Sequence, residues 1–210
     1  MPGLGEALRK LSALKTYSEE LGLDLRRAED RFKWLLASML FAKRISADIA
    51  KRTFAEFVRA GLTSPERILE AGWSRLVEVL DAGGYVRYDF STATNLLEMA
   101  RLLVDRYGGR VDAIHEAASD PRDLERRLME IRGVGPVAVN IFLRELRGVW
   151  DKARPVPCRM ALEVAERLGL PREAVEAHES RLVRLYLEYC KRRKCGECPL
   201  KSECRARREA

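Results

Sequence analysis

The 210-residue chain contains no glutamine and only two asparagines, Asn95 and Asn140. With its richness in Arg and Glu, that shortage points to a thermophilic source. No apolar run is long enough to cross a bilayer, which excludes a membrane-spanning protein. The opening stretch, Met1 to Lys10, lacks the hydrophobic segment of a secretory signal, so the chain is expected in the cytoplasm. No strict apolar–polar alternation survives inspection and no internal repeat is found, which argues against sheets and solenoids.

What is present is charge and helical periodicity. Hydrophobic residues make up 47% and charged residues 34%, enough for a core in one large or two small domains. The net charge of +7 favours a polyanionic partner, of which nucleic acid is the usual one. The nearly continuous apolar set Phe32, Trp34, Leu35, Leu36, Met39, Leu40 and Phe41 predicts a central buried helix over 30–41. A second helix is expected over 46–58, and Ser64-Pro65-Glu66 reads as a capped start. After a break at Ala82-Gly83-Gly84, Phe90, Ala93, Leu97, Ala100, Val104 and Tyr107 mark one face of a long helix that Gly108-Gly109 stops. Further helices are expected from Asp120-Pro121, over 137–146, 159–168 and 172–191. The tail from Arg205 to Arg208 is basic and reads as a frayed end.

Two motifs carry chemistry. The first is Arg132-Gly133-Val134-Gly135-Pro136-Val137, flanked by apolar Leu128, Ile131 and Ala138. Glycines permit positive φ and close approach of backbone to a ligand. The amides that follow lie at a helix N-terminus, where partial positive charge and free donors bind phosphate. Pro136 suits the first helical position, and Ile131 and Val134 pin the turn to a core. The contact expected is with the backbone of double-stranded DNA, through Arg132, Gly133, Val134, Gly135 and Val137, and it reads no sequence.

The second motif is Cys190-x4-Cys195-x2-Cys198-x5-Cys204, four of the five cysteines within the last 21 residues. Such a cluster in a reducing compartment reads as a metal site, holding either a [4Fe–4S] cluster or zinc. A zinc ribbon usually brings two x2 knuckles and this run has one, so the iron–sulfur cluster is the expectation. Cys158 stands apart and reads as a small buried hydrophobe.

Hairpin, proline-bearing loop, following helix and cysteine loop together resemble the endonuclease III/MutY superfamily of helix-hairpin-helix (HhH-GPD) DNA glycosylases. The segment from Phe32 to Arg44 looks like the family's first core helix and the DNA-facing turn after it. The resemblance implies an all-α, two-domain fold: a six-helix barrel over 28–149, and a cluster domain built from 1–27 with 150–210. It implies a protein that flips a damaged or mismatched base out of the duplex and cleaves its glycosidic bond. A monomer is the default expectation, since nothing in the sequence demands a partner chain. It implies DNA contacts by Lys43 and Arg44, and a base pocket near Tyr85 and Tyr88.

Two family signatures are absent. The family's lyase lysine falls at Val137, which cannot form an imine, and its aspartate falls at Pro157. Hydrolysis without classical lyase activity is therefore expected, with Asp151 as the loop carboxylate nearest the missing one and Lys43 as a second catalytic candidate. The alternatives are a non-catalytic, damage-sensing DNA binder, and a lyase with a relocated lysine at Lys43 or Lys152. His115 and His178, the only histidines, receive no role.

Overall fold

The computed structural model describes residues 4–207, and these carry helices and no strand. The chain forms two compact units, one of residues 1–22 with 156–210 and one of residues 23–155. The second extends beyond the expected 28–149 at both ends, for physical reasons. Arg31, on the first turn of α3 (Ala28–Phe41), donates to the Leu25 carbonyl at 2.7 Å. Trp150 stacks on His115, and Lys152 bonds carbonyls of the same unit.

Helix α3 is buried on nearly every side, as its apolar run requires. Trp34, Leu35, Ala37 and Leu40 are fully enclosed, each worth about 1.5–3 kcal/mol for the larger side chains. The Trp34 indole donates to the Phe142 carbonyl at 3.2 Å, so α3 is both packed and hydrogen-bonded against α9 (Pro136–Arg144). Helix α4 (Ala47–Arg59) starts at Ser46, whose hydroxyl accepts from the Ile49 amide, and buries Ala50, Phe54 and Phe57. Helix α5 (Pro65–Ala82) is bent at Gly72 (φ 70°, ψ 174°), a break the sequence pattern had hidden. It pairs with α6 (Asp89–Tyr107).

The buried face of α6 is turned by one residue from the expectation. Leu96 and Leu103 are buried while Leu97 and Val104 are only partly so, and Phe90 is 60% exposed beside Trp73. A short α7 (Asp112–Ala117) precedes α8 (Pro121–Met129), and the hairpin leads into α9.

The other unit holds α1 (Leu4–Ala13), a four-residue α2 (Tyr17–Glu20), α10 (Arg159–Leu168) and α11 (Arg172–Leu185). Its core joins Ala7, Leu11, Ala161, Val164, Leu168, Val175, Leu182 and Leu200. The expected helix over 172–191 is interrupted twice, by a bend at His178 and by a π-helical turn at Tyr186–Cys190. Arg205–Arg207 form a single 3-10 turn, and Arg208 lies outside the described residues.

Candidate nucleic-acid interface and cysteine site

The hairpin begins with α8, whose N-cap Asp120 accepts from the amides of Arg122 (2.8 Å) and Asp123 (2.9 Å). Pro121 occupies the first turn. At the other end Ile131 and Val134 are buried, 1% and 4% exposed, and fix the turn to the core. Gly133 adopts φ +84°, and a Cβ there would meet the Asn95 side chain at 2.6–2.9 Å. Gly135 differs from the expectation: its backbone is extended (φ −97°, ψ −177°), and a Cβ would meet nothing within 4 Å. Only the first glycine is required by conformation. The second leaves open space at the surface.

Beyond Gly135, Pro136 opens α9, and Val137 is 62% exposed. Among the described residues, the amides of Gly133, Gly135, Val137 and Ala138 find no acceptor. A row of free donors at a helix N-terminus, on rigidly held backbone, is what an anion needs. Arg132 is exposed and pairs with Glu98 at 2.5 Å, while Arg106 pairs with Glu130 at 2.6 Å. Exposed pairs of this kind are worth about 0–1 kcal/mol, so a phosphate can displace either carboxylate.

Lys43 and Arg44 lie in the turn between α3 and α4, half-buried and exposed respectively, and neither makes an ion pair among the described residues. The Tyr85 hydroxyl donates to the Leu40 carbonyl at 2.9 Å, which brings the 83–88 loop beside this turn. Tyr85 itself is 1% exposed, and burial pushes its phenol well above the ordinary range. Its ring belongs to the core and offers no face for stacking. Tyr88 is half-buried under the Arg87 guanidinium, 5.5 Å from the ring centroid. Sequence reasoning passed over Val86, 65% exposed on the same loop, and Arg87. Their signal was an apolar–basic pair in a loop opened by two glycines.

Asp151 lies on the surface, its side chain 77% exposed, and shares a 2.7 Å hydrogen bond with His115 Nε2. That bond, together with the neighbouring charge, holds its carboxyl below the usual range. His115, given no role from the sequence, is stacked on Trp150 with ring centroids 4.9 Å apart. Lys152 donates to the carbonyls of His115 and Ala118, both at 2.7 Å, and so closes the C-terminal end of α7.

In the other unit, Pro157 is half-buried and Cys158 is the N-cap of α10. The Cys158 amide donates at 2.9 Å to Glu179 Oε1, on α11. Glu179 is 1% exposed, a burial not visible in the sequence. A lone glutamate in a helical run gives no local signal of burial.

The four clustered cysteines form no disulfide. Cys190 ends the π turn, where the Lys191 amide reaches the Tyr186 carbonyl at 2.8 Å. Leu200, 1% exposed, anchors the loop, and Cys190, Cys198 and Cys204 pack against the same core while Cys195 is exposed. Burial pushes the Cys190 and Cys198 thiols up. The charges of the other cysteines add to this at Cys190, and Arg167 opposes it. Cys190 thus feels the charges of the other three cysteines, and Cys198 those of Cys195 and Cys204. Among the described residues, however, no three His, Cys, Asp or Glu side chains form a group that could hold a metal ion.

No family model matches the chain, and no curated protein does. Solved structures do match. A trapped endonuclease III–DNA covalent intermediate, in an estranged-adenine complex, aligns with a TM-score of 0.52 and 19% identity, over 84% of this chain and 85% of that one. A thermostable thymine-DNA glycosylase aligns with a TM-score of 0.55 and 18% identity, over 97% and 94%. At such identities the likeness is one of architecture: the chain has the all-helical, helix-hairpin-helix glycosylase fold seen in those two structures.

Proposed function

We propose that this protein is a DNA base-excision glycosylase that hydrolyses the N-glycosidic bond of a damaged or mismatched nucleotide, without the lysine chemistry of a lyase. The observation that carries this reading is the hairpin: free amides at the N-terminus of α9, next to exposed Arg132, on a turn fixed by Ile131, Val134 and Gly133. It is supported by the fold shared with an endonuclease III trapped on DNA and with a thymine-DNA glycosylase.

In this reading the free hairpin amides of Gly133, Gly135 and Val137 hold one phosphate, and Lys43 and Arg44 engage the backbone near the flipped nucleotide. Tyr88, with Arg87 and Val86, lies on the loop that Tyr85 ties to the end of α3 and is the remaining candidate for base contact. Val137 rules out an imine at the family's lysine position. Lys152 is tied to two carbonyls, which leaves Lys43 as the lysine to test for a relocated nucleophile.

Cys190, Cys195, Cys198 and Cys204 would hold a [4Fe–4S] cluster. The donor set suits it: four cysteines of which Cys190 feels the charges of the other three, with Cys190, Cys198 and Cys204 half-buried on one core. A cluster is bulkier than a single ion and keeps its ligand sulfurs farther apart, so it does not need the tight group that zinc would. When bound, it supplies a covalent pin for the last 21 residues.

The test is base release from duplexes carrying uracil, thymine glycol, 8-oxoguanine, alkylated adenine or mismatches, assayed with and without alkali. Breaks that appear only after alkali are expected. Breaks without alkali would replace this reading with a lyase using Lys43. Duplex binding with no product from any lesion would favour a non-catalytic binder, a reading that the absent lysine and aspartate keep open.

A further inference from the structure

A lone apolar residue at the surface is ordinary, whereas two large rings in contact there form a patch suited to a partner. Trp73 is 41% and Phe90 60% exposed, and their ring centroids lie 5.3 Å apart. The pair is held rigidly. The chain turns at Gly72, so Trp73 opens the second segment of α5. The Trp73 indole donates to the Thr94 hydroxyl at 3.1 Å, and that hydroxyl donates to the Phe90 carbonyl at 3.0 Å. The polar atom of the indole is thus satisfied within the protein, and what remains for a partner is ring face.

The patch is continuous with the hairpin. Phe90, Thr94 and Glu98 recur every fourth residue and share one face of α6. Glu98 pairs with Arg132 of the hairpin at 2.5 Å, and Asn95, next to Thr94, is the side chain that packs against Gly133. From Phe90 to Glu98 the helix advances about 12 Å, which is roughly three to four nucleotides along a strand. On the other side, three residues before Phe90, Arg87 is exposed and makes no ion pair among the described residues. The carboxylate between them, Asp89, accepts from the Phe90 amide at 2.7 Å. Ring faces set between cations fit a nucleic-acid strand with unstacked bases, the rings meeting bases and the arginines meeting phosphates. A second copy of this chain, with its net charge of +7, would bring like charge to the same place.

We infer that Trp73 and Phe90 form a stacking platform for unpaired bases, on a strand held by the hairpin at one end and by Arg87 at the other. The inference rests on the DNA-binding reading of the hairpin, and it adds a preference to it. DNA that is locally single-stranded beside the hairpin contact binds more tightly than a fully paired duplex. Every base has a face to stack, so the platform responds to the absence of pairing and not to sequence.

Trp73 is its own reporter, because the other two tryptophans, Trp34 and Trp150, are buried. The full chain is titrated at fixed salt with a labelled, fully paired duplex and with the same duplex carrying a central run of unpaired thymines. Anisotropy gives affinity and tryptophan emission reports stacking. The looped duplex is expected to bind on the order of tenfold more tightly and to quench Trp73. Phe90→Ala removes a ring that stands mostly in water and keeps the reporter, and it should lose most of the preference and of the quenching. Trp73→Leu should lose the preference too; should it disturb the fold, Phe90→Ala decides alone. Equal affinity of the wild type for the two DNAs, or an undiminished preference in folded Phe90→Ala, overturns the platform. Trp73 emission that moves to the blue as protein concentration rises without DNA also overturns it, since a second copy then covers the patch. Gly135→Leu keeps the two readings apart, because it should weaken both DNAs alike. A wild-type protein that binds neither DNA overturns the DNA-binding reading itself, and binding without preference overturns the platform alone.

Discussion

The hairpin contains two glycines that the structure separates by purpose, and mutating each should separate stability from binding. Gly133→Ala places a Cβ at φ +84° and 2.6 Å from Asn95 Nδ2, 2.8 Å from its Cγ. The left-handed conformation costs a residue with a Cβ about 1–2 kcal/mol. Moving the partly buried Asn95 adds a contribution of order 1 kcal/mol, by analogy with other off-rotamer shifts. A total of about 2–3 kcal/mol corresponds to a fall in melting temperature of roughly 4–12 °C for a chain of this size. Gly135→Leu starts from extended backbone and open space, so its melting temperature should stay within about 2 °C. Its side chain would nonetheless stand beside the free amides of Gly135 and Val137. Loss of one or two charge-assisted hydrogen bonds, about 1.5–3 kcal/mol each, should weaken duplex binding at least tenfold, alike for damaged and undamaged sequences. The assays are thermal unfolding followed by circular dichroism, and fluorescence anisotropy at fixed salt. A Gly135→Leu protein that binds duplex as tightly as wild type would refute the assignment of these amides to phosphate. An unshifted melting temperature for Gly133→Ala would refute the account of the turn.

Tyr85→Phe should lower stability by about 1–2 kcal/mol through loss of its bond to the Leu40 carbonyl, and leave lesion preference as it was; a changed preference would restore Tyr85 to a base pocket. Asp123 is held far below the usual carboxylate range by the Ser119 amide first, then by Arg127 and Arg126. A depressed folded pKa means that its stabilisation is full above the unfolded value of about 3.9 and is lost as pH falls below it, so Asp123→Asn should flatten the acid limb of the stability curve between pH 4 and lower values, and an unchanged slope would contradict this. The purified protein should be brown with about four irons per chain, and Cys198→Ser should lose both; a colourless preparation with one zinc would show the donor set to be a zinc site. Borohydride should trap no covalent DNA complex, whereas capture that disappears in Lys43→Met would identify a relocated lysine.

Much of the fold was legible because helices announce themselves locally. The all-apolar run of α3 requires burial, Ser46 and Ser64 mark helix starts, and the spacing on α6 gives a helix whose face was misjudged by only one residue. What was not legible depended on tertiary partners. Nothing adjacent to Gly72 or His178 reveals that α5 and α11 bend there. Gly133 and Gly135 look equivalent in sequence, yet only the packing of Asn95 and the turn at +84° distinguish a glycine that the backbone needs from one that leaves a surface open.

The candidate site divides along the same line. The cysteines and the hairpin amides are encoded by spacing over a few residues, so they could be read directly. The surroundings of the acids could not, because position along the chain near Pro157 singled out Asp151, while the structure ties Asp151 to His115 at an exposed surface. Helix α11 instead carries a buried glutamate back to the amide that opens α10. A carboxylate's usefulness to a developing cation depends on exclusion of water and on what orients it, and both are properties of how α10 and α11 pack. What surrounds an acid in this chain is therefore decided by helix packing and not by its distance along the sequence from a motif.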